Sequence, residues 1–202
     1  MKKILLLAVL ALALPTAVFA GSNVDYTNFG GTLSGSNSGL TLSGSTLIAV
    51  NGLNGGGLIT GNDLGSVSFS TGALTSGSLQ MGGTFAGGGS FTITGNGTNG
   101  VPNGTLFTGT FTDPVTWTLV TLADGTHNYT LTGMLDGTTG SGFSTVGVTV
   151  QLTINTGHGF FNGSTTISSG DTNVVVPEPG SLSLLGTGLI GLAGMVRRKL
   201  KS

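Results

Sequence analysis

Apolar and polar residues alternate with a period of two along much of this chain, most clearly over residues 141–155. Polar or small residues, among them Thr149, Gln151 and Thr153, fall between the apolar positions. An antiparallel strand with one face in a core and one in water has this pattern. The apolar positions that we expect to face the core are Val146, Val148, Val150, Leu152 and Ile154.

A second alternating region comprises two segments, residues 105–121 and 128–135, with Asp124-Gly125 as a turn pair between them. We interpret it as a hairpin whose first arm is interrupted by a bulge or an edge break at Asp113-Pro114, because proline cannot donate to a sheet ladder. The apolar positions of one parity are Phe107, Phe111, Val115, Trp117 and Leu119 in the first arm, and Tyr129 and Leu131 in the second.

The two apolar faces of this hairpin match only if the loop holds an odd number of residues. A three-residue loop, Asp124–Thr126, meets this condition. It predicts that Leu119 lies opposite Leu131 and that Trp117 lies opposite Gly133.

The remaining pattern also favours strands. Short β-prone segments recur, and Asn-Gly or Asp-Gly pairs separate them. Long helical patterns are missing between residues 21 and 176. We predict an all-β, antiparallel sandwich or jelly-roll-like exported domain over residues 21–170, with a looser, partly disordered stretch at 21–65. Residues 171–176 are interpreted as a spacer.

The N-terminus has the pattern of a secretory signal peptide over residues 1–20. Lys2 and Lys3 precede an apolar run, and Val18-Phe19-Ala20 provides small residues for cleavage between Ala20 and Gly21. The run is too short to cross ~30 Å of hydrocarbon, which disfavours a retained anchor.

The C-terminal segment, residues 177–202, has three parts. A proline-containing motif at 176–179 is followed by an uncharged apolar stretch over 181–196 and a basic tail over 197–202. We predict a transmembrane helix at 181–196, and the positive-inside rule leaves residues 21–176 outside the cytoplasmic membrane. The motif is Val176, Pro177, Glu178 and Pro179, and the stop-transfer residues are Arg197, Arg198, Lys199 and Lys201.

These C-terminal features resemble the PEP-CTERM protein-sorting signal, in which a Pro-Glu-Pro motif precedes a short apolar helix and an Arg-rich end. The resemblance covers only these last residues. It implies an exosortase, a multi-span membrane enzyme, as the processing partner, with removal of the tail near the motif. It also implies export through the secretion translocon, a transient membrane anchor, and then a place at the cell surface or outside the cell, often with exopolysaccharide.

Charge and composition exclude several functions of residues 21–176. This segment has no Lys or Arg and six aspartates, a formal charge of −6 with neutral histidines. Nucleic acid is excluded as a partner because nothing replaces phosphate counterions. The chain has no cysteine, which excludes disulfides, thiol nucleophiles and thiolate metal sites.

Catalytic and cofactor signals are weak. The glycine-rich run 95–100 matches the dinucleotide fingerprint, but a loop follows it where a helix is required. His127 and His158 could belong to a hydrolase, but the sequence lacks the Gly-x-Ser-x-Gly motif of a nucleophile elbow. The positions of Asp113, Asp124 and Asp136, before Pro or Gly, are typical of turns. We therefore predict no enzyme activity, no cofactor and no metal. Trp117 and Tyr129 are candidates for carbohydrate contact, although Trp117 also shares the core parity of Leu119.

The expected function is that of an exported structural protein of the cell surface or extracellular matrix, associated with exopolysaccharide or biofilm. Three alternatives stay open. They are a carbohydrate-binding module that uses an exposed Trp117 or Tyr129, a secreted hydrolase that uses His127 or His158, and fibrils formed through glycine-rich edges.

Overall fold

The computed structural model describes residues 22–176, which form thirteen strands and one short 3-10 turn at Leu53–Gly55. The strands are β1 (Ser22–Phe29), β2 (Thr32–Ser36), β3 (Gly39–Asn51), β4 (Ile59–Ser70), β5 (Leu74–Ser78), β6 (Gly82–Phe85), β7 (Gly88–Asn96), β8 (Asn103–Phe111), β9 (Val115–Thr121), β10 (His127–Thr139), β11 (Ser144–Asn155), β12 (Ser164–Thr166) and β13 (Ser169–Val176).

Eight of these strands close into a ring. Their order is β1, β3, β4, β7, β8, β10, β11 and β13, and β13 pairs with β1 again. The all-β antiparallel class is therefore confirmed. The sheet is barrel-like rather than a sandwich of two sheets, because the β10–β11 pairing joins what would otherwise be its two ends.

Two long strands break, and their second halves leave the ring. Gly30-Gly31 separates β1 from β2, and residues 112–114 separate β8 from β9. The β8–β9 interruption confirms the break predicted at Asp113-Pro114. Beyond the breaks, β2 carries β12, and β9 carries β6 and β5. We call these two branches the β2–β12 flap and the β9–β6–β5 flap.

The ring interior is filled by phenylalanine rings that lie over glycines. Phe91 packs against three others, with ring centroids 5.9 Å from Phe69, 6.1 Å from Phe107 and 6.2 Å from Phe111. A Cβ added at Gly133 would stand 2.7 Å from the Phe111 ring. Because the glycines present no side chain, large rings fit inside a narrow ring of strands, which explains how a glycine-rich sequence builds a dense core.

The β9–β10 hairpin forms, but its register differs from the prediction by two residues. Leu119 pairs with Tyr129, and Trp117 pairs with Leu131. The Leu122 N–H donates to Thr126 O at 2.8 Å, so the three-residue loop is 123–125. Gly125 takes φ +83°, which is the left-handed residue that ends a three-residue loop. The odd loop length and the matching faces are confirmed.

The strand predicted over 141–155 is β11, and its alternation holds from Val148 onward. Val146 is the exception, being 74% exposed, while Thr145 is buried. A bulge between β10 and β11 reverses the alternation here, with Gly147 at φ +68° and its N–H donating to Asp136 Oδ1 at 3.0 Å.

Two boundaries of the predicted domain are wrong. Residues 171–176 are not a spacer but most of β13, in which Thr172 and Val174 are buried. The stretch 21–65, predicted to be loose, contributes β1, β2, β3 and the start of β4 from residue 22 onward. Within 22–176 there is no helix long and apolar enough to cross a bilayer. The helix predicted at 181–196 lies outside the described residues.

Candidate functional site

The sorting motif begins where the folded sheet ends. Val176 is the last residue of β13. That strand pairs with β11 from Ser169 to Asn173 and has β1 on its other side. Pro177 follows directly in the sequence. Pairing on both edges holds β13 in the ring, so Val176 belongs to the fold while the rest of the motif follows it.

The two predicted processing points flank neighbouring strands. Seven successive antiparallel pairings lead around the ring from β1 to β13, so these two neighbours also run in opposite directions. The start of β1 and the end of β13 therefore lie at the same end of the ring. Gly21 immediately precedes β1, and Pro177 immediately follows β13. We call this end of the ring the terminal end.

The two flaps close over the opposite end, which we call the capped end. The Gly35 N–H of the β2–β12 flap donates to Gly163 O at 2.8 Å. A Cβ at Gly35 would lie 2.9 Å from the Phe161 ring and 3.2 Å from Leu79. Side chains from both flaps and from the 156–163 loop therefore meet in one place.

Trp117 and Tyr129 lie at this capped end and are buried at 1% and 0% exposure. Their rings stack with centroids 4.9 Å apart. Trp117 Nε1 donates to Leu79 O at 2.9 Å, and the Tyr129 hydroxyl donates to Gln80 O at 2.7 Å. Neither ring offers a face to a sugar, so the prediction of carbohydrate contact through these two residues is wrong. They anchor the β5–β6 turn instead, and the burial of Trp117 agrees with the core position that its parity with Leu119 indicated.

Three aspartates are fixed in structural roles. The Asp124 carboxylate accepts from the Thr126 N–H at 2.9 Å and from the Thr126 hydroxyl. These hydrogen bonds, the hydroxyl's first, lower the pKa of Asp124. Asp63 Oδ1 accepts from the Gly65 N–H at 3.1 Å, and Asp136 holds the Gly147 bulge. The turn role predicted from the Asp124-Gly125 pair is confirmed.

The two histidines stand beside the same loops but differ in burial. His127 is 8% exposed, and its ring lies 4.3 Å from that of Phe160. Its Nδ1 has no hydrogen-bond partner among residues 22–176. His158 is exposed, near Gly125. In this part of the chain no three His, Asp or Glu side chains converge as metal ligands would.

An outer groove escaped the sequence analysis. It has a volume of about 440 Å³ and lies where β8 gives way to β9, opposite the middle of β10. Its polar lining comes from the outward-facing positions of the same alternating strands that supply the core. The alternation in the sequence indicates that Thr132 and Gln151 face outward. Only the order of the strands in the sheet shows that they lie beside Asp171 and Asn173.

The remaining sorting residues lie outside the described part of the chain. They are Pro177, Glu178, Pro179, Arg197, Arg198, Lys199 and Lys201, together with the signal-cleavage pair Ala20 and Gly21.

Comparison with known proteins identifies the C-terminal segment. The family model of the PEP-CTERM protein-sorting motif matches residues 175–199. The C-terminal signal thus defines an exported protein that is processed at the membrane, and its described part, residues 22–176, is all-β. The chain carries a PEP-CTERM sorting signal, of the kind that exosortase-type enzymes recognise. No curated protein and no solved structure matches the chain significantly.

Proposed function

We propose that this chain is a non-enzymatic structural protein of the cell surface or extracellular matrix, associated with exopolysaccharide. A signal peptide directs it through the secretion translocon, the helix at 181–196 tethers it, and an exosortase-type enzyme then releases residues 21–176. After release the protein acts by its placement in the matrix.

One observation carries this proposal: the closed ring is complete at Val176, the first residue of the motif, and Pro177 follows the last strand. The core residues run from Val24 to Val174, so cutting after Val176 removes no core residue and opens no strand pairing. A domain of this kind survives processing intact. It contains no cysteine, so its stability comes from packing and from hydrogen bonds between strands. Because the ring is closed, each of its eight strands is paired on both sides.

The polar groups at the capped end support a structural role over a catalytic one. Asp124 lies three residues before His127 in the sequence, and its neighbour Gly125 lies near His158 in space. Its carboxylate accepts hydrogen bonds from Thr126 of its own turn. A hydrolase built on His127 or His158 needs a carboxylate or a nucleophile in contact with the imidazole. Among residues 22–176 the structure pairs neither histidine side chain with an aspartate.

The sorting half of the proposal is tested by deleting Pro177–Pro179 from the full chain in its native host. We expect the protein to stay in the membrane fraction with its tail attached, while wild type appears outside the cell. Pro102→Ala, a change at an exposed loop proline, is the matched control and should be released normally. Release of the deletion variant at the wild-type level would refute sorting through this motif.

Intact-mass measurement is the appropriate readout, because the segment between Lys3 and Arg197 contains no Lys or Arg for trypsin to cut. The mass of the secreted protein reports both cleavage points in one experiment. We expect a chain that begins near Gly21 and ends near the motif.

A further inference from the structure

The outer groove is formed by the break between β8 and β9. Pro114 provides no N–H to the sheet at this point, and the ladder along β10 is interrupted there. Gly133 lines the groove at this gap, and Met134 and Pro114 contribute apolar surface to the lining. A volume of about 440 Å³ lies within the range of small-molecule sites, about 300–1,000 Å³.

Most of the lining residues fall into two rows across neighbouring strands. In the first row Thr116 pairs with Thr132, Thr132 with Gln151, and Gln151 with Asp171. This row crosses β9, β10, β11 and β13, and at about 4.8 Å between strands it spans about 14 Å. The second row runs from Met134 through Thr149 to Asn173.

These side chains are not occupied by the fold. Asp63, Asp124 and Asp136 all accept hydrogen bonds from turns or bulges. By contrast, Asp113 and Asp171 make no side-chain hydrogen bond to another residue of the described chain, and the amides and hydroxyls in the groove make none either. An extended row of donors and acceptors is therefore available to a ligand.

The charge of the groove limits what that ligand is. Asp113 and Asp171 bring two carboxylates, and the segment 21–176 contains no Lys or Arg to neutralise them. Desolvation first, and then the negative charge of Asp171, raise the pKa of nearby Asp25. An anionic chain would be repelled here.

We propose that this groove binds a polyhydroxylated chain without acidic groups, namely a neutral or amino-bearing glycan laid across β9, β10, β11 and β13. Its hydroxyl or ammonium groups donate to the carboxylate of Asp171 and to the side-chain oxygens of Gln151 and Asn173. Met134 and Pro114 contact the C–H faces of the sugar rings. The inference rests on the proposed function, because it names the matrix component that the surface protein holds.

Binding is measured by calorimetric titration of residues 21–176, a segment that contains every strand pairing and the whole core described above. Three probes separate the ligand classes: cello-oligosaccharides are neutral, chitosan oligosaccharides carry amino groups, and oligogalacturonates carry acids. We expect binding of one or both of the first two and none of the third. Tightest binding to oligogalacturonate, or binding to none of the three, overturns the proposal.

Matched variants locate the site. Gln151→Ala and Thr132→Ala should each weaken binding about 10-fold, the usual consequence of losing a bond to a buried or fixed partner. The control Thr108→Ala changes an exposed threonine on β8 outside the groove and should bind like wild type. Equal losses in the control and groove variants overturn the assignment.

Asp171→Asn distinguishes the two accepted glycan classes. It should weaken an amino-bearing chain at least 10-fold and abolish the salt dependence of its binding, but change a neutral chain much less. Asp124→Asn, in the turn of the β9–β10 hairpin and outside the groove lining, is the charge control. Because release is read on the full precursor and binding on the purified segment, loss of glycan binding with normal release refutes only this inference.

Discussion

The ring interior and the capped end are two halves of one hydrophobic core, built by different means. The ring interior holds Phe69, Phe91, Phe107 and Phe111, whose neighbours are other rings and glycines. The capped end holds Trp117 and Tyr129, whose polar atoms bond to backbone carbonyls of the β5–β6 turn. The first depends on shape alone, whereas the second also depends on hydrogen bonds that are made only when a flap is in place.

This difference indicates which strands unfold together and which part of the molecule opens separately. Removing a ring-interior side chain should destabilise all eight strands together, because ring closure couples them. Removing a polar contact at the capped end should first release a flap, since the flaps are attached to the ring along one strand only, β3 or β10.

The largest effect is expected for Phe91→Ala. Phe91 is 1% exposed and contacts three other phenylalanines, so truncation should lower the free energy of unfolding by about 3–5 kcal/mol. Chemical denaturation measures the loss, and it should remain a single transition. Phe29→Ala, at a side chain that is 56% exposed, is the control and should cost under about 1 kcal/mol. Equal losses would contradict the ring-centred core.

An intermediate effect is expected for Tyr129→Phe. The hydroxyl donates to Gln80 O at 2.7 Å and accepts from the Phe161 N–H at 3.1 Å. Leaving these two partners unsatisfied should cost about 2–4 kcal/mol. Amide hydrogen exchange should show the loss concentrated in β5, β6 and the 156–163 loop. A uniform loss of protection around the ring would show that the flap and the ring open together.

The smallest effect at neutral pH is expected for Tyr26→Phe, the matched change in the ring wall. Within residues 22–176 the Tyr26 hydroxyl has no hydrogen bond to lose, so stability should change by less than about 0.5 kcal/mol.

The same residue makes the ring sensitive to alkali. Burial raises the pKa of Tyr26 to about 12, from 10.0. As the pH rises, the Tyr26 hydroxyl therefore loses its proton in the unfolded state before it does so in the folded state. The free energy of unfolding keeps its full value below pH 10 and falls as the pH rises towards 12. The loss approaches about 3 kcal/mol. Denaturation of wild type and Tyr26→Phe between pH 9 and 12 measures it, and parallel curves for the two proteins would contradict this cause.

How far the sequence predicts this structure depends on the range of the interactions involved. Local signals predicted three features correctly. They are the alternation in β11 from Val148 onward, the break at Asp113-Pro114 and the turn at Asp124-Gly125. The predicted register of β9 against β10 was wrong by two residues. The left-handed residue Gly125 is the last residue of the loop rather than its middle one, so the loop is 123–125 instead of 124–126. Val146 was wrongly assigned to the core face. The apolar and polar residues alternate without a break in the sequence, but the bulge at Gly147 turns the residues before it over, so that Thr145 is buried and Val146 is exposed.

The sequence by itself determined the strand-rich class, the lack of thiol groups, the lack of cationic side chains in residues 21–176, and the sorting signal. Composition, period and a contiguous motif are properties of the chain in order. Only the tertiary structure decided that eight strands close into a ring, that β13 belongs to that ring, that Trp117 and Tyr129 are buried under a flap, and that Thr116, Thr132, Gln151 and Asp171 share one groove. These depend on which distant strands pair, and the free energy of that choice comes from packing and ladder hydrogen bonds between segments that are far apart in the sequence.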